Sequence, residues 1–261
     1  MARRKLPGKR AIVTGASSGI GRELVLELAR HGVRQVITAR REDRLRELVG
    51  EVEKLGGEAH IVVGDIVDAA LRQQLLDAAE EHLGGLDLLV NNAGVGAIGP
   101  FAQADEARLR RVMEVNFFAP VELIRHALPI LSRGERPMIV NVASVLGHRA
   151  VPKKSEYSAS KFALHGFSDS LRAELAPSGI DVLIVSPSTT ATEFFDNVLE
   201  KQADLPWLKL GAMKSRTVAR KAVSAIRRGK HEIILTPGGV GLVWADRLFP
   251  PIINRLVARF G

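Results

Sequence analysis

The 261-residue chain has no cysteine, a single tyrosine and an aromatic content of only 5%. Without cysteine there is no disulfide framework, no thiolate nucleophile and no Cys-based metal site, which suits a reducing compartment. Long apolar runs are missing as well. The basic N-terminus, MARRKLPGKRAIVTG, meets only three or four apolar residues before Gly15, too few for the core of a signal peptide. Near the C-terminus the longest charge-free run, Ile233 to Ala245, is 13 residues and is broken by Pro237 and three glycines. A spanning helix needs ~20 apolar residues. A cytoplasmic protein is therefore expected. Acidic residues nearly vanish from positions 205–261, where eleven Lys/Arg face only Glu232 and Asp246, whereas the first 204 residues hold 26 Lys/Arg and 27 Asp/Glu. The net charge of +8 thus belongs to the C-terminal fifth. No basic recognition helix accompanies it, and nucleic acid is not an expected partner.

What the chain does contain is alternation. Short apolar, β-branched runs at 11–14, 35–38, 59–63, 86–90, 138–142, 181–185 and 232–235 read as seven strands, mostly apolar throughout as for strands covered on both faces. Helix-length patterns lie between them at 19–32, 42–55, 68–83, 103–131, 156–177 and 216–228. This order predicts an α/β fold: one Rossmann-like, doubly wound parallel sheet of about seven strands in a single domain, 1–261. Ligands of such sheets sit at the carboxyl ends of the strands, where strand order reverses.

Four of those ends carry unusual residues. After the first strand comes TGASSGIG, in which Gly15, Gly19 and Gly21 permit a tight turn and close approach to a diphosphate at a helix N-terminus. A turn alone would also use them, but the strand before and helix behind favour a dinucleotide. The second strand ends VITARRED. An NAD site often places a carboxylate here, whereas this chain has Ala39, Arg40 and Arg41. A guanidinium pairs with a 2′-phosphate, which predicts NADP(H) ahead of NAD(H). Asn91-Asn92 follows the fourth strand and Ser144 the fifth; Asn116 interrupts a helical pattern in which asparagine is a poor former. Tyr157 and Lys161, four apart, share one helix face. Each could be an ordinary loop or surface residue when taken singly.

Together these residues resemble the short-chain dehydrogenase/reductases. The motifs that carry the resemblance are Gly15-x-x-x-Gly19-x-Gly21, Asp65, Asn91-Asn92-Ala93-Gly94, Asn116, Ser144, Tyr157-x-x-x-Lys161 and Pro187, in the family's order and across nearly the whole chain. The resemblance implies a catalytic set of Asn116, Ser144, Tyr157 and Lys161. It implies cofactor contacts from Gly15, Ser17, Ser18, Gly19, Ile20, Gly21, Arg40, Arg41, Asp65, Ile66, Asn92, Ala93, Gly94, Tyr157, Lys161, Pro187, Ser188, Thr190 and Thr192, and no metal. Tyr157 would be the general acid/base, its phenol lowered by the Lys161 ammonium from an ordinary pKa of about 10. Ser144 would hydrogen-bond the reacting oxygen, and Asn116 would hold a water leading from Lys161 to solvent. The chain departs from the family in two places: Ser188 stands where glycine often follows the proline, and Ser18 where many NADP-preferring members have a basic residue.

A substrate lid is expected at about 193–216, where Phe194, Phe195, Leu199, Trp207 and Leu208 suit a hydrophobic carbonyl or alcohol. A basic, apolar extension follows at about 237–261, expected to pack on the domain or an oligomer partner and compatible with peripheral contact to an anionic membrane. The stripe Ala159, Phe162, Ala163, Gly166, Phe167, Ser170 and Leu171 is a packing face, which the resemblance assigns to a homodimer or homotetramer. Three activities fit: an NADP(H)-dependent carbonyl reductase or alcohol dehydrogenase, a 3-oxoacyl thioester reductase, and a cofactor-binding regulator without turnover.

Overall fold

The computed structural model describes residues 4–191 and 212–259. In chain order the strands are β1 (Arg10–Thr14), β2 (Arg34–Ala39), β3 (Ala59–Val63), β4 (Leu88–Asn91), β5 (Met138–Val142), β6 (Asp181–Ser186), β7 (Thr190–Ala191), β8 (Met213–Lys214) and β9 (Glu232–Ile234). The helices are α1 (Gly19–Ala29), α2 (Glu42–Lys54), α3 (Ala69–Ala78), α4 (Glu106–Met113), α5 (Ala119–Leu131), α6 (Ser155–Leu175), α7 (Ser215–Arg228), α8 (Pro237–Leu248) and α9 (Pro250–Ala258). Seven strands pair in parallel in the order β3-β2-β1-β4-β5-β6-β9, while β7 and β8 form a separate two-stranded ladder. The expected doubly wound sheet is present.

The strand pleat divides the interior into two layers. Ala11, Val13, Leu88, Val90, Val140 and Val185 pack under α1, α2 and α7; Ile12, Leu89, Ile139 and Val182 point to the opposite layer, against α3 to α6. Burying one such aliphatic side chain is worth about 1.5–3 kcal/mol. This two-sided burial is why the strands lack polar alternation. Because β2 and β4 lie on either side of β1, the loops after β1 and β4 diverge and open a cleft above the sheet.

Two expected helices are not regular throughout: 68–83 passes from α3 into a π turn, Ala79–Leu83, and 103–131 is broken near its middle. Between α4 and α5 the backbone forms a π turn, Glu114–Phe118, centred on Asn116. Pro120 has no N–H to offer the Asn116 carbonyl four residues back, so the regular ladder cannot close there. The lengthy α6 is anchored from two directions. Asn91 Nδ2 donates to Asn141 Oδ1 (2.9 Å), and Asn141 Nδ2 donates to Ser168 Oγ (2.9 Å), a buried polar chain running from β4 through β5 into α6. At the other end Arg108 on α4 holds Glu156 through a buried ion pair of 2.7 Å. These bonds determine where α6 presents its Tyr157 and Lys161.

Candidate active site

A cleft of about 460 Å³ runs over the carboxyl ends of β1, β2, β4, β5 and β6. Of the residues expected to hold a cofactor, all but Thr192 line it; Thr192 and the lid residues 193–211 lie outside the described residues. At one end is the glycine loop. Gly15 (φ 68°) and Gly19 (φ 57°) have left-handed backbone, disfavoured for any other residue. A Cβ on Gly15 would lie 2.7 Å from Ala93 Cα, and one on Gly21 would lie 2.2 Å from the Gly15 carbonyl oxygen. Thr14 ties the two loops together: its Oγ1 accepts from the backbone N–H groups of Asn92 and Ala93 (3.0 Å each), while Asn92 Nδ2 donates to the carbonyls of Thr14 (2.9 Å) and Gly15 (3.1 Å). The result is a narrow cradle at the start of α1. Ser18 precedes that helix without a side-chain cap, and no acidic residue stands in its first turn. Such an end fits a diphosphate.

Beyond the glycine loop the cleft wall is cationic. Arg40 is exposed and Arg41 donates to Ser17 Oγ at 3.2 Å; both line the cleft. Arg111 lines it too and pairs with Asp65 at 2.5 Å. Burial alone would raise the Asp65 pKa, but hydrogen bonds from Arg111 and the Val67 N–H outweigh it and hold the carboxyl ionised. Arg111 on α4 had no sequence motif to mark it.

The deep end holds the reactive groups. Ser144 caps a short 3₁₀ turn, accepting from the Leu146 N–H at 3.1 Å, and hydrogen-bonds the Tyr157 hydroxyl. The turn is secured to the next strand by the Val145 N–H donating to the Pro187 carbonyl at 2.9 Å. Lys161 Nζ lies 5.8 Å from the Tyr157 ring centroid and donates to the Val142 carbonyl at 3.0 Å. Asn116 is in the second rank: it is 1% exposed, does not line the cleft, and spends its amide on Val95 N–H, Val95 carbonyl and Ser160 Oγ, each at 2.9 Å. Its side chain nonetheless reaches the site. A Cβ on Gly94 would lie 3.2 Å from Asn116 Oδ1, a tight approach, and 3.6 Å from Lys161 Nζ, an ordinary contact.

The electrostatics correct one expectation. Burial pushes Tyr157 up to about 12, with the Ser144 hydrogen bond opposing it, and burial lowers Lys161 to about 8. In the protein alone desolvation therefore exceeds any lowering of the phenol by the ammonium, and Tyr157 is a protonated donor at neutral pH. Lys154, 6% exposed and also lowered to about 8 by burial, lines the same end; it escaped sequence reasoning because a lysine beside a helix start carries no motif.

The family model for short chain dehydrogenases matches residues 9–203. The chain belongs to this family of oxidoreductases, which act on CH–OH groups with a nicotinamide cofactor. It is 28% identical to the ketoacyl reductase HetN of a Nostoc species, over 98% of this chain and 90% of the relative. It is 36% identical to dehydrogenase/reductase SDR family member 7B of Xenopus tropicalis, over 86% of this chain and 76% of that protein. Among solved structures, a short-chain dehydrogenase/reductase from Burkholderia phymatum in complex with NAD superimposes with a TM-score of 0.87 at 27% identity, covering 95% of this chain and 96% of the other. One from Burkholderia cenocepacia in complex with NADP superimposes with a TM-score of 0.81 at 30% identity, covering 90% and 99%.

Proposed function

We propose that the protein is an NADP(H)-dependent oxidoreductase that interconverts a carbonyl and a secondary alcohol on a hydrophobic substrate. The observation that carries this reading is the Ser144–Tyr157 hydrogen bond, with Lys161 behind it, at the deep end of a cleft whose other end is an uncapped helix start flanked by Arg40 and Arg41. A bound nicotinamide would supply or accept the hydride. The protein's own share is a proton. In reduction, Tyr157 donates its phenolic proton to the carbonyl oxygen as negative charge develops there, and Ser144 Oγ–H shares that charge. Lys161 stabilises the phenolate left behind. Asn116 positions Gly94 and the α4–α5 junction against Lys161. Arg40 and Arg41 select a 2′-phosphate over a free ribose hydroxyl.

A panel of ketones, aldehydes and 3-oxoacyl thioesters, each with NADPH and with NADH, tests the reading through loss of reduced-cofactor absorbance. The second reading, a 3-oxoacyl thioester reductase, is favoured by the similarity to a ketoacyl reductase along nearly the full chain. Turnover confined to the thioesters would select it. Tight NADPH binding with no turnover on any of the panel would instead select the regulator.

Two surfaces bear on assembly. Phe118 and Phe162 are exposed on the α5–α6 side, and Ala159, Gly166 and Ser170 of the expected stripe are exposed with them, which supports pairing of two copies through these helices. The α8–α9 extension supports a different contact. No residue of α9 is buried, and Trp244, Leu248, Phe249, Ile252 and Leu256 are exposed beside Arg247 and Arg255. Of the extension, α8 packs on the domain through buried Gly239 and Val243, while α9 keeps most of its residues exposed. An apolar face edged with arginines suits an anionic lipid surface. Among the described residues no helix is long and apolar enough to cross a membrane.

A further inference from the structure

Beside the catalytic turn three potential ligands meet, none of them among the residues that line the cleft. His148 follows the 3₁₀ turn begun by Ser144, His165 lies on α6 four residues beyond Lys161, and Glu232 opens the edge strand β9. One ring nitrogen of each histidine and a carboxylate oxygen of Glu232 lie within 4.8 Å of one another. The two imidazoles stand edge to face with centroids 4.4 Å apart. His148 Nε2 is 3.2 Å from Glu232 Oε1 and 3.0 Å from Ser186 Oγ at the end of β6.

We infer that His148, His165 and Glu232 form a binding site for a divalent transition-metal ion of the zinc type, tying the catalytic turn to α6 and to the sheet edge. A purely structural hydrogen-bond cluster would account for His148 and Glu232 but not for His165. Its Nδ1 is buried without a hydrogen-bond partner, while its Nε2 faces Asp169 at 3.3 Å. An orphaned imidazole nitrogen beside a second imidazole and a carboxylate is what a metal satisfies.

The donor chemistry fits. Two imidazoles and one carboxylate match zinc, with metal–ligand distances of about 2.0–2.2 Å that place tetrahedral ligands about 3.3 Å apart. The His148–Glu232 separation already meets that spacing. A ring nitrogen of His165 lies within 4.8 Å of both. Ligands must be deprotonated to bind. The surrounding charges are compatible: Asp169 adds a carboxylate at the rim, and Arg172 is occupied with Asp169 and the carbonyls of Val182 and His231. Because the three ligands come from the turn, the helix and the edge strand, an ion here braces the segment that carries Ser144, independently of which cofactor the cleft takes.

The test uses the full chain without an affinity tag, stripped with EDTA and titrated with ZnCl₂ by calorimetry and by thermal melting. The expected result is one equivalent bound and a raised Tm. His165→Gln and Glu232→Gln should each weaken zinc by at least about tenfold and abolish the Tm increase. Circular dichroism and the metal-free Tm establish that each variant is folded; if one is not, the other carries the comparison. The pair His60–His82, stacked beside Glu58, serves as a control, since His60→Gln should leave zinc binding intact. Absence of zinc binding by the parent overturns the site, as does binding that survives both ligand substitutions or disappears with His60→Gln.

Discussion

Tyr157 is the sole tyrosine of the chain, and burial keeps its phenol in the protonated form, the one that has a proton to give. With the phenol pushed up to about 12 and Lys161 lowered to about 8, both groups lean toward their neutral forms. Reduction needs a protonated phenol and a charged Lys161. The phenol stays protonated throughout the neutral range, so the lysine sets the limit: its charge is complete well below pH 8 and is lost as pH rises through about 8. We expect kcat/KM for carbonyl reduction to be level at lower pH and to fall above about 8. A profile that stays level to pH 10 would exclude a requirement for the ammonium. Replacing Tyr157 by Phe keeps the ring and removes the proton. Turnover should drop by about 10²–10⁴-fold with NADPH affinity nearly unchanged, as read by steady-state rates and by cofactor fluorescence titration. At the other end of the cleft, Arg40→Asp replaces a cation with a carboxylate beside the expected 2′-phosphate. NADPH affinity should fall far more than NADH affinity, and an unchanged ratio would remove Arg40 as selector.

At the scale of elements, α6 carries the chemistry only because other elements hold it in place. The Arg108–Glu156 pair joins α4 to the residue before Tyr157, with side chains 3% and 2% exposed. Burial opposes ionisation of Glu156, but the Arg108 hydrogen bond wins and keeps it charged. Glu156→Ala would leave the guanidinium buried without that carboxylate, at a cost of about 3–5 kcal/mol. Urea unfolding should show that loss, and kcat should fall with it because Tyr157 follows directly. A small change in midpoint would mean that the pair contributes little. By contrast α9 has no fully buried residue, so a chain ending at residue 248 should unfold at nearly the same urea concentration as the parent.

For the whole molecule, the separation of charge matters more than its total. The body is close to neutral, and the positive excess lies in the last fifth, where the α8–α9 extension exposes apolar residues between arginines. Co-sedimentation with vesicles containing phosphatidylserine should retain the parent at low salt, release it as ionic strength rises, and not retain the chain ending at 248. Equal sedimentation of the two chains would eliminate the extension as the lipid contact and leave it to a partner copy. Leu242 on α8 lines the cleft, so whatever covers this extension also lies beside the substrate entrance.

The parts of this protein that were legible in the sequence are those governed by local rules. The five inner strands show as apolar runs because both sheet faces are buried there, whereas the edge strands β3 and β9 are only half-buried. The glycine loop shows because Gly15 and Gly19 need left-handed backbone, and Gly21 because it has no room for a side chain. Asn116 was marked as an interruption of its helix, and Pro120 supplies the reason for the π turn around it. What only the tertiary structure decided are matters of distance between chain-remote groups. The pairing of Asp65 with Arg111 joins residues 46 apart in sequence, and the convergence of His148, His165 and Glu232 draws on a turn, a helix and an edge strand. The direction of the Tyr157 shift belongs here too. Spacing on a helix puts the lysine near the phenol, but desolvation depends on everything packed around the pair, and in this cleft it is the larger effect.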